Sequence, residues 1–183
     1  MHICPYRPYM SSRAQLNIQE LPKIPGSCFC GTIEYEITLP TLFAGHCHCS
    51  MCRRIHAAAY VTWLGVRKES LKIIKGEEHV NTFHSTKGKN HIYRRSCKIC
   101  TTNLFCDNDI KHPTYTDVSF ASITRPETLD RQPEAHWYYT DHASWASTDA
   151  TDGLKRIETD VNAKPGEQMG GKGDGIKILK HVN

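Results

Sequence analysis

The 183-residue sequence predicts a mainly β fold built as one globular domain. Its hydrophobic fraction of 39% and charged fraction of 23% are those of an ordinary globular protein. Short β-favouring runs follow one another from Gly26 to Ile123, most of them separated by Gly, Lys or Asn turns. Nothing in that range has the periodicity of an amphipathic helix of about ten or more residues.

The first strand is predicted at Thr32–Ile37 (TIEYEI), where apolar and polar residues alternate as in a half-buried strand. The later β-favouring runs are also predicted to be strands: AAYVTWLG (58–65), SLKIIKG (70–76), HVNTFHS (79–85), NHIYRRSC (90–97), NLFCD (103–107) and YTDVSFASI (115–123). The segment PEAHWYYTDHASWAS (133–147) adds one more strand and several aromatic side chains.

The chain divides into three regions by composition. We expect an N-terminal extension over 1–24, a folded domain over 25–147 that holds the clustered cysteines, and a flexible, Gly- and Lys-rich tail over 148–183. No apolar run approaches the roughly 18 residues of a spanning helix, so no membrane partner is expected. The first residues lack the apolar core of a secretory signal, which predicts a cytoplasmic protein.

Nine cysteines are many for a reducing compartment, and an odd number fits a closed disulfide framework poorly. Clustered cysteines in such a protein favour metal or redox chemistry. If seven thiolates bound two zinc ions, the formal charge of +4 would fall to about +1. Nucleic acid is therefore not an expected partner.

Four cysteines form two closely spaced pairs, Cys28 with Cys30 and Cys97 with Cys100. The two-residue gap of CKIC is typical of a zinc knuckle, because the turn directs both sulfurs at one metal, and Cys-x-Cys can chelate in the same way. Four thiolates fill a tetrahedral zinc, so we interpret this set as a structural site.

A second group, Cys47, Cys49 and Cys52, offers only three thiolates. Zinc with three protein ligands keeps an open position, as catalytic sites do. Two alternatives stay open: a cluster of reactive thiols without metal, or a site closed by a fourth ligand, for which the candidates are His46, His48, His56 and Cys106.

The charge of an open three-cysteine site indicates its chemistry. Three thiolates on Zn²⁺ carry a net negative charge, which makes the metal a modest Lewis acid better suited to holding a substrate thiol as thiolate than to activating water. Zinc deaminases are excluded, because the chain has no His-x-Glu and SCKIC lacks their proline.

The ordered set GSCFCGTIEYEI, HCHCSMCRR, AAYVTW, YRRSCKICTTNLF, PEAHWYY and SW resembles the glutathione-dependent formaldehyde-activating enzyme family, which also includes centromere protein V. The resemblance covers about Gly26 to Trp145. It implies a β-tent fold of small antiparallel sheets around zinc. It also implies that Cys28, Cys30, Cys97 and Cys100 bind structural zinc, and that Cys47, Cys49 and Cys52 bind catalytic zinc.

The family's activity joins glutathione to formaldehyde, which is formally a carbon–sulfur lyase reaction in reverse. The resemblance therefore implies a lyase with a small thiol and an aldehyde-type substrate as partners. The chain departs from the family where Thr101 and Thr102 replace Gly and a small residue, and where His56 and Ala57 replace a small residue and Gly. A glycine lost from a tight turn removes backbone freedom at positive φ.

Several other side chains near the cysteines are candidates for roles at the metal site. One of Arg53 and Arg54 would clamp a substrate carboxylate; the alternatives are a surface arginine or one that neutralises the thiolates. His56 is a candidate general base or pocket wall. His46 and His48 alternate with cysteines, so they should face away from the metal. We expect Cys106 to be a buried apolar residue, and a pocket wall from one of Trp63, Trp137 and Trp145.

These features predict a zinc-dependent enzyme that binds a thiol as thiolate and adds it to an aldehyde or another activated carbon. A different class remains as the alternative: a non-catalytic zinc scaffold for a protein or nucleic acid, favoured by the basic stretch TKGKNHIYRR and the basic tail. A closed second cysteine site would favour the scaffold.

Overall fold

The computed structural model describes residues 21–85, 91–146, 148 and 151–158. These residues form eleven strands and one α-helix. In chain order they are β1 (Lys23–Ser27), β2 (Glu34–Thr38), β3 (Phe43–Cys47), α1 (Ser50–His56), β4 (Val61–Arg67), β5 (Leu71–Lys75), β6 (Val80–Ser85), β7 (Ile92–Cys97), β8 (Asn103–Asn108), β9 (Tyr115–Ser119), β10 (Ala135–Trp137) and β11 (Lys155–Ile157). The mainly β prediction is confirmed.

The strands form two sheets. The smaller sheet has the order β1-β2-β5, and the larger one has the order β11-β10-β3-β4-β9-β8-β7-β6. Nearly all neighbouring strands are antiparallel, but β10 runs parallel to both β3 and β11. The short strand β10, second from one edge of the larger sheet, therefore lies beside the strand that ends in Cys47.

Alternation along the strands divides the interior into two cores. In β2, Tyr35 and Ile37 are buried while the glutamates between and beside them are less so, as its sequence pattern predicts. They join a core that also contains Cys28 and Cys97. The second core contains Cys47, Cys49 and Cys52, together with Val61, Trp63, Ile92, Cys106, Ala135, Trp137 and Ile157. Each cysteine group thus belongs to its own core.

The helix α1 follows directly after β3 and is short because its ends are strongly marked. Cys49 caps its N-terminus, where the Cys49 sulfur accepts a hydrogen bond from the Cys52 amide at 3.4 Å. Ala57 ends it in the left-handed conformation (φ 49°) usually occupied by glycine. Arg53, Arg54 and His56 fill the last turn, where positive charge is favoured.

Part of the region predicted as a flexible tail is built into the larger sheet. β11 pairs in parallel with β10, and the buried Ile157 packs into the core that contains the three cysteines. Asp152 fixes the turn before this strand by contacts with His136 and Arg156. The strand was not predicted because the segment is polar in composition, and only one of its residues is buried in an apolar environment. The boundaries of the predicted domain and tail stay predictions.

No helix in the described ranges is long and apolar enough to cross a membrane. The N-terminal extension up to residue 20, most of the tail and the TKGKN part of the basic stretch lie outside the described residues.

Candidate metal centres

The two cysteine pairs predicted to bind structural zinc come together at one end of the fold. The four sulfur atoms of Cys28, Cys30, Cys97 and Cys100 all lie within 4.8 Å of one another. The Cys28 and Cys30 sulfurs are 3.5 Å apart, and Cys30 Sγ lies 3.9 Å from Cys97 Sγ. Distances of this size suit four ligands around one metal ion.

Each pair sits on a tight turn that supplies amide donors to its sulfurs. In the first turn the Ile33 amide donates to Cys28 Sγ at 3.2 Å, and in the second the Ile99 amide donates to Cys97 Sγ at 3.4 Å. Thr101 gives the second turn its reversal by taking a φ of 60°. Such donors stabilise thiolates and orient them.

Two threonines add side-chain contacts to the same cluster. The hydroxyls of Thr32 and Thr102 each lie 3.1 Å from a sulfur, of Cys30 and Cys100 respectively. Thr102 also accepts a hydrogen bond from the Phe29 amide at 3.1 Å, which joins the two turns. The Thr102 contact lowers the pKa of Cys100 to about 5, whereas burial raises the pKa of Cys28 to about 11.

The second cluster is assembled from one continuous stretch of chain. Cys47 ends β3, Cys49 caps α1 and Cys52 lies in its first turn, so all three sulfurs fall within 4.8 Å of one another. All three residues are buried. Among the described residues no further Cys, His, Asp or Glu joins this group, which leaves it with three thiols.

The surroundings of the three thiols favour negative charge on one of them. Hydrogen bonds from Cys47 and Cys49 hold the pKa of Cys52 well below its usual range, with further help from Arg94 and the Trp63 indole. Arg94 Nη2 lies 3.8 Å from Cys52 Sγ. The same interactions, together with burial, raise the pKa of Cys47. Of the three thiols, Cys52 is therefore the one whose surroundings most favour the thiolate.

A cavity of about 100 Å³ opens against the three cysteines. Its apolar walls include Phe43, Met51, Ile92 and the two indole rings of Trp63 and Trp137. Its polar lining consists of Arg94, Asn108, Lys111, His112, Tyr115 and Asp117, and Cys106 also faces it. Two tryptophans thus line the pocket, while Trp145 is 75% exposed and takes no part in it.

Arg94 was not among the residues selected from the sequence, although its guanidinium contacts the cluster through Cys52. It lies on β7 opposite Cys106 on β8 and is only 7% exposed. A signal for it exists in the sequence: Arg94 is two residues from the apolar Ile92, so the strand period places both on the buried face.

The two predicted catalytic side chains on α1 lie outside the cavity wall. His56 packs edge-on against Trp63 at a ring distance of 5.2 Å, and burial lowers its pKa. Arg53 is half-buried, with an Nε that has no hydrogen-bond partner. Both residues border the cluster without facing the cavity, and their catalytic roles stay predictions.

The histidines that alternate with the cysteines lie on the other side of β3, as the sequence predicts. His48 is buried and its Nε2 lies 2.8 Å from His136 Nδ1, while His136 Nε2 lies 2.9 Å from Asp152 Oδ2. His46 contacts Thr62 at 2.9 Å. This chain of hydrogen bonds ties the backbone between Cys47 and Cys49 to the turn before β11.

Comparison with known proteins adds a family match. The model of the glutathione-dependent formaldehyde-activating enzyme family matches residues 23–141, which include both cysteine clusters. A solved structure of a Rhodobacter sphaeroides protein is 23% identical, covers 60% of this chain and 98% of its own, and superposes with a TM-score of 0.47. The search of curated proteins found no match.

Proposed function

Because the chain belongs to the glutathione-dependent formaldehyde-activating enzyme family, we propose that it is a zinc-dependent carbon–sulfur lyase-type enzyme. Its substrates are adducts of a small, glutathione-like thiol with an aldehyde or another activated carbon. The observation that carries this proposal is a buried cluster of three thiols that opens onto a cavity.

The donor sets fit zinc at both clusters. Cysteine sulfur is a soft ligand that zinc prefers, and each set has its sulfurs within 4.8 Å of one another. Four thiolates at Cys28, Cys30, Cys97 and Cys100 would hold a structural ion. The cluster of Cys47, Cys49 and Cys52 would hold a catalytic one, which keeps the substrate thiol deprotonated near neutral pH when bound.

The size of the cavity sets what part of a substrate reaches the cluster. Sites that enclose a whole drug-sized ligand have volumes of roughly 300–1,000 Å³. A cavity of about 100 Å³ has room for a thiol end and a one-carbon aldehyde. The remainder of a tripeptide thiol would lie outside, where the exposed Lys111 at the rim would pair with its carboxylate.

The walls of the cavity contribute positioning and exclusion of water. Trp63 and Trp137 line the cavity, and their apolar rings would exclude water and help to hold the thiolate and the aldehyde in contact. Thiols add to formaldehyde without a catalyst, so proximity is the main contribution expected of this site. The absence of a fourth protein ligand among the described residues favours this enzyme over a non-catalytic scaffold.

The test is the exchange rate between formaldehyde and its glutathione adduct, measured at equilibrium by NMR with ¹³C-formaldehyde. The zinc-loaded protein should accelerate exchange in proportion to its concentration, and Cys52→Ser should abolish the acceleration. Cys4→Ser, which changes a cysteine that belongs to neither proposed ligand set, is the matched control. Protein that carries two zinc ions and leaves the exchange rate unchanged for glutathione and other small thiols would contradict the proposal.

A further inference from the structure

Two buried hydrogen-bond donors that have no acceptor belong to residues that line the same cavity as the three cysteines. They are Nη1 of Arg94 and Nε1 of Trp137. Each residue is only 7% exposed. A buried donor without a partner costs about 1–3 kcal/mol, and such groups are rare in folded proteins. Two of them on one cavity indicate that the cavity is built to receive an acceptor.

The guanidinium is held in place by its other side. Arg94 Nη2 points at Cys52 Sγ, 3.8 Å away, and the residue pairs across the sheet with Cys106. Because the group is planar and rigid, this anchoring fixes the direction of Nη1 as well. The unpartnered donor and the cysteine cluster therefore lie next to each other.

The indole is fixed just as firmly. Trp137 pairs with Cys47 in the parallel ladder, and its carbonyl accepts a hydrogen bond from the His48 amide at 2.9 Å. Its ring covers Gly45 so closely that a Cβ there would come within 2.6 Å of it. Phe43 packs edge-on against the ring at 5.5 Å. The indole N–H thus has little freedom to find another acceptor.

We propose that Arg94 Nη1 and Trp137 Nε1 together bind one negatively charged oxygen atom, the oxyanion formed when a thiolate adds to an aldehyde in this cavity. This inference rests on the proposed lyase function, whose site it deepens. Arg94 and Trp137 are then catalytic residues, because they contact the reacting oxygen.

The step balances without any oxidant or reductant. The thiolate sulfur forms a bond to the carbonyl carbon, the C=O π pair moves onto oxygen, and the resulting alkoxide takes up from solvent the proton that the thiol had released. In reverse, the alkoxide re-forms the carbonyl and the C–S bond breaks. The oxygen is two bonds from sulfur, which suits donors that lie beside the cysteine cluster. Fixed donors stabilise such a charge more than they stabilise the neutral carbonyl.

The direct test uses formate as a one-carbon oxyanion and observes the indole N–H signals by ¹H–¹⁵N NMR. The chain has three tryptophans, and Trp137→Phe identifies the Trp137 signal by its loss. In the full-length zinc-loaded protein, formate should shift the Trp137 signal saturably and leave that of the exposed Trp145 unchanged. Arg94→Gln should weaken formate binding about tenfold or more. The exposed Arg125→Gln removes the same charge elsewhere and should leave binding unchanged.

The kinetic test uses the same variants. Arg94→Gln should lower kcat about 100-fold, with little change in the KM for the thiol or in the zinc content. Trp137→Phe retains an aromatic ring, removes only the donor, and should change kcat in the same direction. A fall in activity that follows loss of zinc from Arg94→Gln, or a formate-induced shift of the Trp137 signal that Arg94→Gln leaves unaffected, would overturn the inference.

The failure of this inference is distinguishable from that of the lyase proposal. If the wild-type protein binds formate through Arg94 and Trp137 but does not accelerate exchange, the oxygen site stands and the lyase proposal fails. If the wild-type protein accelerates exchange and both variants do so equally well, the lyase proposal stands and the oxygen site is excluded.

Discussion

The two cysteine clusters use the same ligand atom but are built in opposite ways. Cys28 and Cys97 belong to turns far apart in the chain, which meet only because two sheets pack together. Cys47, Cys49 and Cys52 come from one strand and the helix after it. A metal bound to the first cluster crosslinks distant segments, whereas a metal bound to the second adds little to the chain's connectivity. This contrast fits the proposed division into a structural and a catalytic site.

The largest difference should appear when one ligand is removed from each cluster. Cys97→Ser should abolish cooperative folding, since structural zinc stabilises zinc-finger peptides by about 10–16 kcal/mol. Cys52→Ser should leave a folded protein that has lost its metal at the cavity and its activity. Circular dichroism during heating, with zinc analysis of both variants, measures the contrast. Equal stability of the two variants would remove the distinction between the clusters.

The order of metal release sharpens the same comparison. We expect two zinc ions per chain, and a chelator should remove the one at the three-cysteine cluster about tenfold faster or more, because an open position lets the chelator bind before a protein ligand leaves. Added glutathione should perturb only that ion. Burial acts in the opposite direction, since Cys30 of the other cluster is exposed. If the ion at the four-cysteine cluster left first, accessibility rather than ligand number would govern release.

Asp152→Asn tests the support behind the three-cysteine cluster. The Asp152 carboxylate is partly buried, which opposes ionisation, but hydrogen bonds from Arg156, the Leu154 amide and His136 outweigh this and hold its pKa well below the usual range. Loss of the carboxylate charge in Asp152→Asn should lower the free energy of unfolding by about 1 kcal/mol, a value reduced by partial solvent exposure. Metal release from the three-cysteine cluster should accelerate, and release from the other cluster should not.

The pH dependence of that effect has a definite sign. Because the folded-state pKa of Asp152 is lowered, its stabilisation is fully present above the unfolded value of about 4 and disappears as pH falls toward the folded value. The difference in unfolding free energy between wild type and Asp152→Asn should therefore be largest near neutral pH and should shrink toward zero in acid. Chemical denaturation across this range measures it, and a difference that grows in acid would contradict the assignment.

The smallest effects concern the backbone beside each cluster. Thr101 and Ala57 both take positive φ values, 60° and 49°, which cost non-glycine residues free energy. Thr101→Gly should raise the free energy of unfolding by about 0.5–1 kcal/mol, and Ala57→Gly by less, because a β-branched side chain is the more strained of the two. Denaturant titration of the two variants measures both changes in unfolding free energy. Destabilisation by Thr101→Gly would show that the Thr101 hydroxyl contact with the Cys100 carbonyl, at 2.7 Å, outweighs the strain.

Local spacing in the sequence was sufficient to identify both cysteine groups and the face on which His48 lies. These features depend on turns and on strand alternation, which act over a few residues. The position of Arg94 depends on the register between β7 and β8, and that of Trp137 depends on a parallel pairing with β3. No short motif encodes either register, so Arg94 was not selected from the sequence and Trp137 was only one of three tryptophans expected as a pocket wall.

The segment that ends in β11 is a second feature that depends on long-range contacts and could not be predicted from the sequence. Its docking depends on Ile157 and on the contact between Asp152 and His136, which is 16 residues away in the chain. Composition alone describes the segment as polar and therefore flexible. A single buried apolar residue and one charged network are enough to hold it against the sheet.

The place of Ile157 in the second core also sets an order of events during synthesis. As the ribosome releases the chain from its N-terminus, all four thiols of the first cluster are available once Cys100 has emerged. The second cluster has its three thiols much earlier but lacks the Trp137 and Ile157 walls until the last described residues appear. A metal ion that reaches the growing chain could thus bind the four-cysteine cluster before Trp137 and Ile157 complete the second core, so the cavity that the proposed reaction needs forms later than the first cluster.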